Sequence, residues 1–139
     1  MTIEEYDKLR RLPEWRWWLV TPNQYAKDLC RIHPLKQRQV EEICKAAASN
    51  AEVKRVIIFG SSTTYLCNSC SDLDICIEWK DGPYVDAISY DWKPEVVGMA
   101  KVISEVTRNL GGYDLMFWDE LDGARVEIAV KEKGVVVYE

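Results

Sequence analysis

Four consecutive apolar residues, Val56-Ile57-Ile58-Phe59, stop abruptly at Gly60-Ser61-Ser62-Thr63. An unbroken apolar run of this length is the pattern of a strand covered on both faces, and small residues with a glycine mark its end as a turn. Ten residues after Ser61 a second pattern begins. Residues 72–79, DLDICIEW, alternate, sending Leu73, Ile75, Ile77 and Trp79 to one face and Asp72, Asp74, Cys76 and Glu78 to the other. One strand buried on both sides beside one with two unlike faces calls for a sheet covered by helices. The fold class is therefore α/β (α+β).

The flanking segments supply the cover. Val40, Ile43, Cys44, Ala47 and Ala48 fall at helical spacing, with Pro34 just ahead of them and Asn50 as a stop. Residues 23–32, with Pro22 near their start, read as a further helix. Pro94 opens a helix predicted to run to about Leu110, with Val96, Met99, Ala100, Ile103, Val106 and Leu110 inward and Gly111-Gly112 ending it. Tyr113 to Trp118 reads as a third strand, residues 119–131 as a helix, and Val135 to Tyr138 as a short last strand. No repeat, low-complexity tract or linker divides the chain. Residues 1–139 read as one domain, with 1–51 a helical N-terminal extension and 52–139 the core.

Composition narrows the function classes. A hydrophobic content of 47% fills a core without disulfides, and no apolar run reaches the roughly 20 residues of a membrane span. Glu4, Glu5 and Asp7 stand where a signal peptide carries positive charge, and an odd count of five cysteines points to free thiols, so the chain is expected in the cytoplasm. A net charge of −5, with no basic stripe among aromatics, disfavours a long nucleic acid as the main partner.

The chemistry lies between Gly60 and Asp74. Two carboxylates two residues apart on a strand point the same way, roughly 7 Å apart, and reach one or two shared cations. Without a cation they repel and one tends to hold a proton. Magnesium relieves this with hard oxygen ligands, few carboxylates and positions left for phosphate oxygens. Asp114, near the start of the next strand, offers a third carboxylate. Across the gap, Gly60 lets the backbone approach a phosphate, and the N–H groups of a helix opening there, with the Ser61 hydroxyl, can hold triphosphate oxygens.

Gly-Ser, ten residues and Asp-x-Asp together resemble the signature of the minimal nucleotidyltransferase (MNT) domains, relatives of the DNA polymerase beta superfamily. Ser71-Asp72-Leu73-Asp74-Ile75, Tyr113-Asp114-Leu115 and the glycine-led Gly134 to Tyr138 are similar to that family's later elements, a likeness covering about residues 52–139. The resemblance implies a nucleotidyltransferase fold, a mixed β-sheet with helices packed mainly on one face. It implies Asp72, Asp74 and Asp114 as catalytic residues and ligands of Mg²⁺ (two ions, with Mn²⁺ as a substitute). Gly60, Ser61 and Ser62 then form the nucleotide-binding turn for ATP or another nucleoside triphosphate. It further implies AMP transfer to a hydroxyl, with a HEPN-type toxin as protein acceptor and this chain as its antitoxin. The alternatives are a nucleotide- or partner-binding module without turnover, and an aminoglycoside-like enzyme acting on a small molecule. Many members carry arginines just after the Gly-Ser; here Ser62 and Thr64-Tyr65 stand in those places, with no arginine between Gly60 and Asp72.

Other chemical residues read more plainly. Cys67-x-x-Cys70 lacks a second cysteine pair, so incidental thiols are expected. His33 reads as a helix-boundary residue, Trp15, Trp17 and Trp18 as packing for the N-terminal segment, and Glu78 as an acidic group peripheral to the aspartates.

Overall fold

A computed structural model describes residues 24–80, 91–108 and 111–139, together with isolated positions 2, 4, 5, 8, 17 and 89. Its sheet has four strands, β1 (Val53–Phe59), β2 (Leu73–Trp79), β3 (Tyr113–Phe117) and β4 (Val135–Tyr138), in the spatial order β3-β2-β1-β4. β1 runs antiparallel to both β2 and β4, while β2 and β3 are parallel, so the sheet is mixed. The parallel pair needs a crossover, and a helix on one face provides it.

Two long helices, α1 (Pro34–Ala48) and α2 (Pro94–Thr107), share that face. Val40, Ile43, Cys44 and Ala47 of α1 and Val96, Met99 and Ile103 of α2 pack with Val56, Ile58, Leu73, Ile75 and Ile77 into the main core. Asn50 ties the two helices together, its amide donating to the Glu95 carbonyl at 2.9 Å. On the opposite face Ile57, Phe59, Cys76 and Val130 form a smaller core beneath α3 (Ala124–Glu127), which runs on as a π-helical turn at Ile128–Glu132. The nucleotidyltransferase-like fold expected from the sequence, with its helices mainly on one face, is the one observed.

Four boundaries differ from the sequence reading, each for a local reason. Residues 24–32 carry only a 3₁₀ turn at Leu29–Arg31, because Asp28 adopts left-handed φ 50° and interrupts any helix. Helix α2 ends at Thr107, whose hydroxyl bonds back to the Ile103 carbonyl at 2.8 Å; Leu110, expected on its inner side, lies outside the described residues. The single helix expected over 119–131 is a 3₁₀ turn at Trp118–Glu120 and then α3, separated by Gly123 at φ 93°. The helix expected to open at Gly60-Ser61 is a single 3₁₀ turn, Gly60–Thr63. There the hydroxyls of Thr63 and Thr64 bond the carbonyls of Gly60 and Ser61 at 2.8 and 3.0 Å, engaging oxygens that a continuing helix would use.

Candidate active site

The sheet register brings the sequence-predicted carboxylates to one place. Asp74 stands opposite Phe59, the last residue of β1, and directly beside Asp114 on β3. Adjacent strands put these two backbones about 4.8 Å apart. Asp72 precedes β2 by one residue, with an oxygen 3.6 Å from where a Cβ of Gly112 would stand. The turn from β1 passes over the other flank of Asp74. Gly60 has φ 72°, and any Cβ there would overlap Asp74 Oδ2, so only glycine lets this turn lie on the carboxylate. Gly60, Ser61, Asp72, Asp74 and Asp114 thus meet at one end of three neighbouring strands.

Asp72 and Asp114 are exposed and Asp74 is partly buried. Burial, the charge of Asp114 and then that of Asp72 push the Asp74 carboxyl up to about 6. The charges of Asp114 and Asp72 thus both bear on Asp74. Among the described residues, however, no three His, Cys, Asp or Glu side chains are gathered into a group that could already hold a metal ion. The donor set still suits a hard divalent cation: all oxygens, with a central carboxyl whose ionisation is opposed by like charge that a cation would offset.

The raised Asp74 value has a consequence for stability. Between 3.8, its ordinary value, and about 6 the folded protein keeps a proton that the unfolded chain has lost. The stabilising contribution is full below 3.8 and is lost as pH rises through about 6. For a carboxyl this open to solvent the effect is on the order of 1 kcal/mol after allowing for screening. Thermal melts without divalent cation should show wild type losing stability relative to Asp74→Asn across that window. Identical pH profiles for the two proteins would contradict the clustering of charge.

The Ser62 side chain is fully buried, its Oγ beside Cys67 and without an ordinary hydrogen-bond partner among the described residues, so of the nucleotide-binding turn expected at Gly60, Ser61 and Ser62 this hydroxyl is withdrawn from solvent. The Ser62 carbonyl accepts from the His33 N–H at 2.7 Å. The reason is the tightness of the 3₁₀ turn, which directs its third residue inward instead of along a new helix.

The remaining residues fall as follows. His33 caps α1, its Nδ1 accepting from the Leu35 N–H at 3.2 Å. All five cysteines are free, with Cys67 buried and Cys70 exposed. Glu78 is bound by Lys54 and Arg55; partial burial pushes its carboxyl up, but these partners hold it below its ordinary value, so it is engaged away from the aspartates. Trp17 packs on His33 at 5.7 Å between ring centres, while Trp15 and Trp18 lie outside the described residues. Sequence reasoning missed a hollow of about 540 Å³ along β3, where Asp114 and Glu120 stand among Trp92, Tyr113 and Met116. Its only sequence signal was the aromatic residues either side of α2.

Over residues 19–128 the chain matches the family described as poly(A) RNA polymerase, mitochondrial-like, central palm domain. The chain belongs to this family. The palm domain so matched begins well before residue 52 and takes in α1, as expected of a helix that supplies a large part of the main core. Nucleotidyl transfer from a nucleoside triphosphate is the chemistry of such palm domains. No curated protein is similar enough to the chain to count as a relative. No helix among the described residues of this palm domain is long and apolar enough to cross a membrane.

Proposed function

We propose that the palm domain transfers AMP from ATP to a protein hydroxyl, with Asp72, Asp74 and Asp114 as its catalytic carboxylates. The observation that carries this reading is the meeting of the three aspartates with the Gly60-Ser61 turn at one end of β1, β2 and β3. Asp72 and Asp74 would hold Mg²⁺, which when bound supplies charge stabilisation at the α-phosphate. Backbone N–H groups of the Gly60–Thr63 turn and the Ser61 hydroxyl would orient the triphosphate. Asp114, exposed on β3 beside the hollow, would take the acceptor's proton. Among the described residues the charged lining of the hollow is Asp114 and Glu120, an acidic pair that favours a neutral or basic acceptor over a polyanion. A HEPN-type toxin, with this chain as a cytoplasmic antitoxin, is the protein acceptor we propose.

The family match favours a second reading, an RNA 3′-hydroxyl as acceptor; the net charge of −5 weighs against it. Incubation with labelled ATP and Mg²⁺, offering either a HEPN-type protein or an oligoadenylate, separates the two. The expected result is a single AMP added to the protein, read by mass spectrometry. A ladder of lengthened RNA with unmodified protein would select the second reading. Label on neither, despite ATP binding, would leave a binding module, the outcome to which the absence of arginine between Gly60 and Asp72 points.

A further inference from the structure

Lys36, in the first turn of α1, is only 1% exposed. An ammonium withdrawn from water is costly unless its hydrogens meet acceptors, and an apolar side chain of equal length fills such a space at lower cost. A lysine in this place does something an apolar residue cannot. Its Nζ donates to the carbonyl of Ser71 at 2.6 Å, and Ser71 is the residue immediately before Asp72.

The same carbonyl is also crowded by the lead-in to β3. A Cβ on Gly111 would stand 2.7 Å from Ser71 O and 2.5 Å from Cys70 O, so the lead-in to β3 lies directly against this peptide. The N-cap of α1 also holds the far end of the loop, through the His33 N–H bond to the Ser62 carbonyl at 2.7 Å. The segment joining the Gly60–Thr63 turn to Asp72 is thus pinned at both ends by His33, the N-cap of α1, and Lys36 in its first turn, both outside the carboxylate site.

We infer that Lys36 is a positioning residue for Asp72: its bond to the Ser71 carbonyl fixes the backbone from which that carboxylate projects. The inference rests on the proposed role of Asp72, and Lys36 acts through Ser71 without touching substrate. Outer partners that orient a metal ligand by bonding it directly are worth about 10- to 100-fold in metal affinity, and Lys36 orients Asp72 through the adjoining peptide.

The test compares wild type with Lys36→Met, which keeps the length and loses the charge, and Lys36→Arg, which keeps a donor. Amide hydrogen exchange is read at Ser71, bonded to the Asn68 carbonyl, and at Leu73, bonded to the Gly112 carbonyl, against Ile57 and Ile58 in β1. Mn²⁺ affinity is measured on the same proteins. Lys36→Met is expected to speed exchange at Ser71 and Leu73 by about tenfold, leave β1 unchanged, and weaken Mn²⁺ binding by about 10- to 100-fold. Lys36→Arg is expected to recover most of both. Wild-type exchange at Ser71 and Leu73 in Lys36→Met, or equal acceleration throughout β1, overturns the inference. Local loosening in a protein whose wild type binds no Mn²⁺ upholds the positioning by Lys36 and instead removes the transfer reading. Should Lys36→Met not fold, Lys36→Gln is read by the same measures.

Discussion

Asp114→Asn is expected to lower turnover by at least about 10²-fold while leaving ATP affinity close to wild type, the scale usual for a lost general base. Asp114 sits on β3, beside the hollow that offers room for an acceptor, and is exposed. Asparagine keeps its shape and removes its ability to take a proton. The substitution also removes the like charge that acts more strongly on Asp74, so the Asp74 carboxyl should titrate below about 6 in the variant. Asp74→Asn should behave differently, damaging metal-dependent nucleotide binding together with turnover, because it alters the central carboxylate and not the one nearest the acceptor. Equilibrium binding of ATP and single-turnover rates on both variants check this division. Wild-type transfer by Asp114→Asn would refute the role given to it.

Gly60→Ala is expected to be nearly as damaging to transfer although it adds one methyl group. At φ 72° an alanine costs about 1–2 kcal/mol. The larger effect is local. The new Cβ occupies the place of Asp74 Oδ2, so either the turn lifts or the carboxylate swings aside. A displacement of about 1 Å at a catalytic group is enough to lower turnover by about 10²-fold. In an Asp74→Ala background the same change meets no carboxylate, and its stability cost should shrink to the backbone part alone. A double-mutant cycle on thermal stability measures that coupling. Full activity in Gly60→Ala would show that the turn and the carboxylate do not depend on one another.

The strands and the carboxylate cluster were legible because each rests on a short-range pattern. The apolar run 56–59 and the alternation of 72–79 encode burial directly, and Asp-x-Asp on a strand leaves little freedom in where its side chains point. That Asp114 lies beside Asp74 followed once β3 was taken as a neighbour of β2. What stayed hidden depends on side-chain choices that spacing does not encode. The hydroxyls of Thr63 and Thr64 turn back on the preceding carbonyls, which shortens the turn and buries Ser62. Lys36 reads in sequence as an ordinary polar position of an amphipathic helix, since the carbonyl it serves belongs to a loop 35 residues away. The break at Gly123 lay within sight, but an isolated Asp-Gly inside a helical pattern is weak against the apolar residues around it.

The order of the strands governs when this site comes into being. β1 and β2 form an antiparallel pair separated by a short segment of chain, so the Gly60 turn and Asp74 meet through an early, local closure. Asp114 arrives only after α2 has carried the chain across the sheet to lay β3 parallel to β2. The far edge waits longer still: Ile57 pairs with Val136, so β1 stays open along one side until β4 docks, against the entropy of a long closed loop. A nascent chain therefore holds two of the three aspartates well before the third, and Asp114 joins them only when β3 is laid beside β2.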